Sequence, residues 1–97
     1  TAAGLQWVWS SDAPDLIVHL SVMVDETPFE ITLRTPGRFW TEVTVRWEDF
    51  VKPAWFGEGG RDEFDPTLAR TIGFDLGSWE DDQEGVIWID DLHYIEN

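Results

Sequence analysis

The chain has no cysteine, so neither a disulfide framework nor thiol chemistry is open to it, and its redox compartment is left unspecified. Bases are scarce: six Lys and Arg stand against twenty Asp and Glu, a net charge of −14. That imbalance would repel nucleic acid and anionic membranes, and it leaves neutral ligands and cations as partners. No apolar run approaches the ~18 residues of a bilayer-spanning helix, and no signal-peptide pattern opens the chain. The two histidines, His19 and His93, are too few and too isolated for a zinc site, which takes three or four ligands. A Gly-rich phosphate loop, a nucleophile elbow and a Cys/His pair are all missing. Carboxylate pairs that could hydrolyse glycosides arise by chance among twenty acids, and a chain this small has little room to enclose a scissile bond. The expectation is therefore a protein that is not an enzyme.

What is abundant is tryptophan. Seven indoles (Trp7, Trp9, Trp40, Trp47, Trp55, Trp79 and Trp88) occur in 97 residues. A packed Trp buries roughly 150–250 Å², so a few would crowd a small core, and some should lie in the surface. An exposed cluster of flat aromatic rings marks a binding surface. At 42% hydrophobic the chain is globular, and residues 1–97 make one domain with a thin core. Thr1 in place of an initiator methionine fits a module of a longer protein or a processed chain.

The hydropathy period is two nearly everywhere, which predicts an all-β fold. Leu16, Val18, Leu20, Val22 and Val24 share one face of a strand, with Ile17, His19, Ser21 and Met23 on the other. Phe29, Ile31 and Leu33 alternate with Glu30, Thr32 and Arg34, and turn chemistry over residues 25–28 joins the two runs as a hairpin. Residues 39–47 predict a fourth strand with Val43, Val45 and Trp47 on the core face and Trp40, Glu42 and Arg46 outward. Residues 51–70 hold three glycines and two prolines without a period, which predicts a long loop with a short turn at 65–68. A strand at 71–76, an acidic loop at 77–85, a last strand at 85–95 and a first strand at 5–10 complete six. Six short alternating strands suggest a β-sandwich of two short antiparallel sheets.

The runs WTEVTVRWEDF at 40–50, IGF at 72–74 and GVIWIDDL at 85–92 resemble the C-terminal half of jelly-roll carbohydrate-binding modules appended to bacterial glycoside hydrolases. The chain looks most like a small family of this length attached to family 5 endoglucanases, of the kind grouped as carbohydrate-binding module family 81. It departs from the larger jelly-roll modules in lacking their N-terminal strands. A more distant similarity, through Asp49-Phe50 and IGF, is to a domain of a mitochondrial complex I assembly factor. The resemblance implies a jelly-roll-like topology with the first, fourth and last strands in one sheet. It also implies a secreted, extracellular module that tethers a covalently linked endoglucanase to plant cell-wall β-glucan: cellulose, cello-oligosaccharide, mixed-linkage glucan or xyloglucan. Related modules often hold a structural Ca²⁺ through the acid at the Asp90-like position, but with other ligands drawn from the strands missing here. The expectation is thus no cofactor, with such a Ca²⁺ as the alternative.

In that topology the sugar-binding residues would be Trp88, Trp40, Trp7 and Trp9, with Glu42 and Arg46 beside them. Ile87 and Ile89 claim the core, so Trp88 should face out; Val43 and Val45 do the same for Trp40. The first strand is ambiguous: the resemblance puts Trp7 and Trp9 inward, whereas the limited core volume argues that at least one is exposed. Residues two strands apart lie ~9.5 Å apart, comparable to one disaccharide, so an outward row would make a flat strip suited to an extended glucan. Three alternatives stay open. Trp40 and Trp88 could merely cover the back of a sheet or dock a protein partner. Trp55 and Trp79, in loops, could plug the end of the sandwich. The opposite sheet, with His19, Ser21, Met23, Glu30, Thr32, Arg34 and Asp75, could be the cleft.

Overall fold

A computed structural model describes residues 2–76 and 84–96. Trp79 and the acids Asp81 and Asp82 lie outside the described residues. Six strands run β1 (Ala2–Ser11), β2 (Pro14–Val24), β3 (Thr27–Pro36), β4 (Thr41–Arg46), β5 (Ala69–Leu76) and β6 (Ile87–Glu96). They form two three-stranded antiparallel sheets, ordered β4-β1-β6 and β3-β2-β5. The fold is all-β, a small sandwich, and the first, fourth and last strands share a sheet as expected.

β2 and β3 are joined by two residues, Asp25 and Glu26, both with positive φ (49° and 67°). That is the backbone of a type I′ turn, whose twist matches the flanking strands. The chain changes sheets at Asp12-Ala13, where side chains replace the ladder. Ser11 Oγ donates to the Ala13 carbonyl (2.6 Å) and accepts from Gly37 N–H (2.9 Å), while Thr35 Oγ1 donates to the same carbonyl (2.8 Å). Gly37 adopts φ 92° as the chain returns to the first sheet. The chain bends at residues 38 and 39, so β4 begins at Thr41 rather than at Phe39. At its other end Trp47 enters a 3₁₀ turn, held by Arg46 N–H on Asp49 Oδ2 (3.2 Å).

Between the sheets, Leu5, Trp7, Trp9 and Val45 meet Val18, Leu20, Val22 and Val24 of β2 and Phe29 of β3. Trp7 and Trp9 are 0% and 2% exposed, so the expectation that one of these indoles reaches the surface is corrected. The core takes both because the facing strand supplies three slim valines. The rings also nest edge to face: Trp7 meets Trp9 at 5.8 Å and 89°, and Phe74 at 5.3 Å and 77°. Trp47 is buried as its strand parity predicts, and its Nε1–H donates to the Ala2 carbonyl (3.0 Å).

The aperiodic stretch 51–70 carries two 3₁₀ turns, Ala54–Phe56 and Pro66–Leu68, the latter where a short turn is expected. It docks through Phe64, which stacks on Trp47 (4.8 Å, 14°) and abuts Phe29 (5.4 Å). Glu30 and Val51 exchange backbone hydrogen bonds (2.8 and 3.0 Å), so this loop also caps the free edge of β3. β6 carries a β-bulge: Gln6 faces His93 and Val8 faces Asp90, leaving Asp91 and Leu92 opposite Trp7 alone. Asp91 sits at φ 57° and its N–H donates to Asp90 Oδ1 (2.8 Å). Beyond the bulge the strand's parity inverts, so Tyr94 pairs with Leu5 and packs on Trp47 (6.1 Å).

Candidate functional site

The outer face of the β4-β1-β6 sheet follows from register alone. Along β1, Leu5, Trp7 and Trp9 point inward, so Gln6, Val8 and Ser10 point outward. Ser10 faces Trp88 of β6, and the β1–β4 ladder ends at Trp9 opposite Thr41, with the exposed Trp40 immediately before it in the chain. The next row is Glu42, Val8 and Asp90, and the one after is Thr44, Gln6 and His93. Trp88 and the end of β4 at Thr41, next to Trp40, thus flank the central strand, with Glu42 and Asp90 in the row opposite Val8.

Trp40 is 59% exposed and Trp88 48%, while Ser10 between them is 5% exposed although it belongs to the outer face. A small side chain on the central strand lies in a trough between larger neighbours on both edges. The Ser10 hydroxyl makes no side-chain hydrogen bond among the described residues. Beyond the acid row, Gln6 Nε2 donates to Thr44 Oγ1 (2.9 Å) and reaches Glu42 Oε1 (3.4 Å), while Gln6 Oε1 meets His93 Nε2 (3.1 Å). His93 Nδ1 lies 2.7 Å from the Asp91 carbonyl. This chain of contacts fixes the side of Glu42 away from the indoles.

Of the sequence-predicted site residues, Trp40, Trp88 and Glu42 come together. Arg46 shares their face but stands opposite Gly4, two rows beyond Glu42. Trp7 and Trp9 leave the candidate site, since buried rings have no face to offer a ligand. Asp90 and Ser10 join it. Asp90 was legible in the parity that sets Trp88 outward; Ser10 was not, because its role depends on knowing which strands flank it. Trp55 is 67% exposed on a separate 3₁₀ turn, Ala54–Phe56, against Phe56 (6.3 Å).

The opposite sheet does gather the expected polar set. His19 faces Thr32 and Asp75, Ser21 faces Glu30 and Gly73, and Met23 faces Pro28 and Thr71. His19 Nδ1 lies 3.1 Å from Thr32 Oγ1, and Arg34 donates to the Asp15 carbonyl (3.3 Å). Among the described residues this face carries no aromatic ring. A third concavity, about 550 Å³, opens between Lys52, Glu63 and the Trp47–Phe64 stack. Its aromatic floor is turned inward, with Trp47, Phe50 and Phe29 only 8%, 5% and 3% exposed.

The acid clusters divide by partner. Asp62 pairs with Lys52 (3.4 Å). Asp65 accepts from the Thr67 hydroxyl (2.7 Å) and Thr67 N–H (3.0 Å), and these bonds, with Arg61 at 3.7 Å, hold its carboxyl below the usual carboxylate range. Among the described residues, no group of three or more His, Cys, Asp or Glu side chains is placed to hold a metal ion. The chain matches no protein-family model, no curated protein and no solved structure.

Proposed function

We propose that this chain is a non-catalytic carbohydrate-binding module that takes β-glucan chains across the outer face of the β4-β1-β6 sheet, with glucose rings stacked on Trp40 and Trp88. The observation that carries the reading is a half-exposed Trp88 opposite the small Ser10 on one open face, with a second exposed indole, Trp40, immediately before β4 on the other flank of β1. Sugar rings have apolar C–H faces and hydroxyl rims. Indoles meet the faces; Ser10, Glu42 and Asp90 offer hydrogen bonds to the rims. If each ring covers ~100 Å² of indole, the gross gain is about 2.5 kcal/mol per ring. Association costs consume much of it, so two rings leave affinities of roughly micromolar to millimolar. Weak binding of that order suits a module that raises the local substrate concentration of an attached endoglucanase outside the cell.

The exposure of Phe39, 82% and adjacent to Trp40, favours a second reading in which the aromatic strip docks a protein partner. Calorimetry with cellopentaose on the wild type and on Trp88→Ala separates the two. Heat in the wild type that is lost in a folded variant supports the platform. Heat retained in the variant moves the site to the opposite sheet or the loops. Silence in both, extended to other β-glucans, leaves the protein-docking reading.

A further inference from the structure

We infer that the same platform selects for cationic saccharides, so that β-linked glucosamine chains bind it more tightly than neutral glucans and uronic acid chains are rejected. The inference rests on the sugar-platform reading above and adds the charge of the ligand.

Glu42 and Asp90 flank Val8 directly beside the indole row, one on the strand of each tryptophan. Both are exposed, and neither lies within ion-pair distance of a cation among the described residues. Their hydrogen-bond partners are neutral: the Gln6 amide for Glu42, the Asp91 N–H for Asp90. Of the nearby bases, Arg46 stands opposite Gly4 and His93 opposite Gln6, and the exposed Arg38 precedes Trp40 by two residues without pairing with either acid. A ring stacked on Trp40 or Trp88 thus projects its rim toward an uncompensated carboxylate. A hydroxyl there gains an ordinary hydrogen bond, whereas an ammonium gains a charge-assisted one and the attraction of the indole face for a cation. A carboxylate substituent meets repulsion from both acids. The rest of the molecule reinforces the choice, since a net charge of −14 draws cations and disfavours anions at the distance of approach.

Exposed ion pairs are weak. A mid-range exposed pair contributes about a threefold gain in affinity, so two set an expected preference of about tenfold for a fully amino-substituted chain over its neutral counterpart. That preference should shrink as salt rises toward ~1 M, where the screening length falls to about 3 Å.

The test is calorimetry with three β-1,4-linked oligomers of equal length, cellopentaose, the glucosamine pentamer and a glucuronic acid pentamer, in mildly acidic low-salt buffer that keeps the amines charged. It is run on the wild type and on the Glu42→Gln/Asp90→Asn double variant, with folding checked by far-UV circular dichroism. The expected result is the order glucosamine, then glucose, then uronate, with the ratio of glucosamine to glucose affinity collapsing to about twofold in the double variant, whose cellopentaose affinity itself falls as the rim hydrogen bonds weaken. Cellopentaose binding with no gap overturns the charge selection and leaves the platform standing. A gap that survives the double substitution assigns the preference to overall charge and also overturns it. Failure of all three oligomers removes the sugar platform itself, which the Trp88→Ala comparison reports separately.

Discussion

Two buried indoles in this sandwich differ in one respect, and the difference predicts unequal responses to the same substitution. Trp47 Nε1 donates to the Ala2 carbonyl at 3.0 Å, whereas Trp7 Nε1 is buried with no hydrogen-bond partner among the described residues. Replacing either ring by Phe leaves a void, which should cost about 1–2 kcal/mol, a fraction of the 3–5 that full truncation to Ala costs. Trp47→Phe also loses a hydrogen bond, about 1 kcal/mol more, for a total of about 2–3 kcal/mol. Trp7→Phe removes an unsatisfied donor whose burial costs about 1–3 kcal/mol, so void and relief nearly cancel. The expected gap between the variants is about 2 kcal/mol, or roughly 8–16 °C in Tm for a domain of this size. Urea titration followed by circular dichroism reads it, because fluorescence would change with the loss of either indole. Equal destabilisation by the two substitutions would refute the reasoning, and would mean that the rings of Trp9 and Phe74 satisfy the Trp7 N–H.

Three further outcomes follow from the backbone and the charges. Glu26→Gly should stabilise the protein by about 0.5–1 kcal/mol, because Glu26 holds φ 67° in the β2–β3 turn; a lower Tm would show that its side chain contributes more than the turn costs. Gly4→Ala should destabilise by about 1–3 kcal/mol, since a Cβ there runs into the Val45 carbonyl oxygen and lies 2.9 Å from Arg46 Cα; an unchanged denaturation midpoint would show that β4 can shift. Asp65 has a lowered folded-state pKa, so its contribution is present above the unfolded carboxylate value near ~4 and is lost as pH falls through the lower folded value. Stability should therefore fall less steeply with acid in Asp65→Asn than in the wild type, and identical acid limbs in pH-jump unfolding would exclude the contribution.

Periodicity made the sheets legible because each strand buries one face, and a one-residue slip would turn Val18, Leu20, Val22 and Val24 to solvent. The same rule placed Trp40 and Trp88 outward without knowledge of the pairing. It failed at Trp7 and Trp9, where the question was volume rather than parity: edge-to-face nesting against Phe74 and a valine-rich partner strand admit two indoles that a count of side-chain sizes argues against. It failed again after Asp90, since a bulge formed without glycine leaves no mark in the alternation, and residues 93–95 consequently exchange faces. The row Trp40–Ser10–Trp88 could not be read from any one segment. It exists only because β1 separates β4 from β6, a fact of long-range pairing.

The pairing of Ala2 with Glu96 brings the first and last described residues side by side at one end of β1, while Ser10 stands eight residues away, ~26 Å along the strand. A short turn can therefore splice the ends, and the chain can be reopened at an exposed loop such as that around Gly57 without disturbing a ladder pair. Such a circular permutant should keep both sheets. The same adjacency makes the unit easy to insert whole into a surface loop of another protein, with the indole row carried at the end remote from the junction.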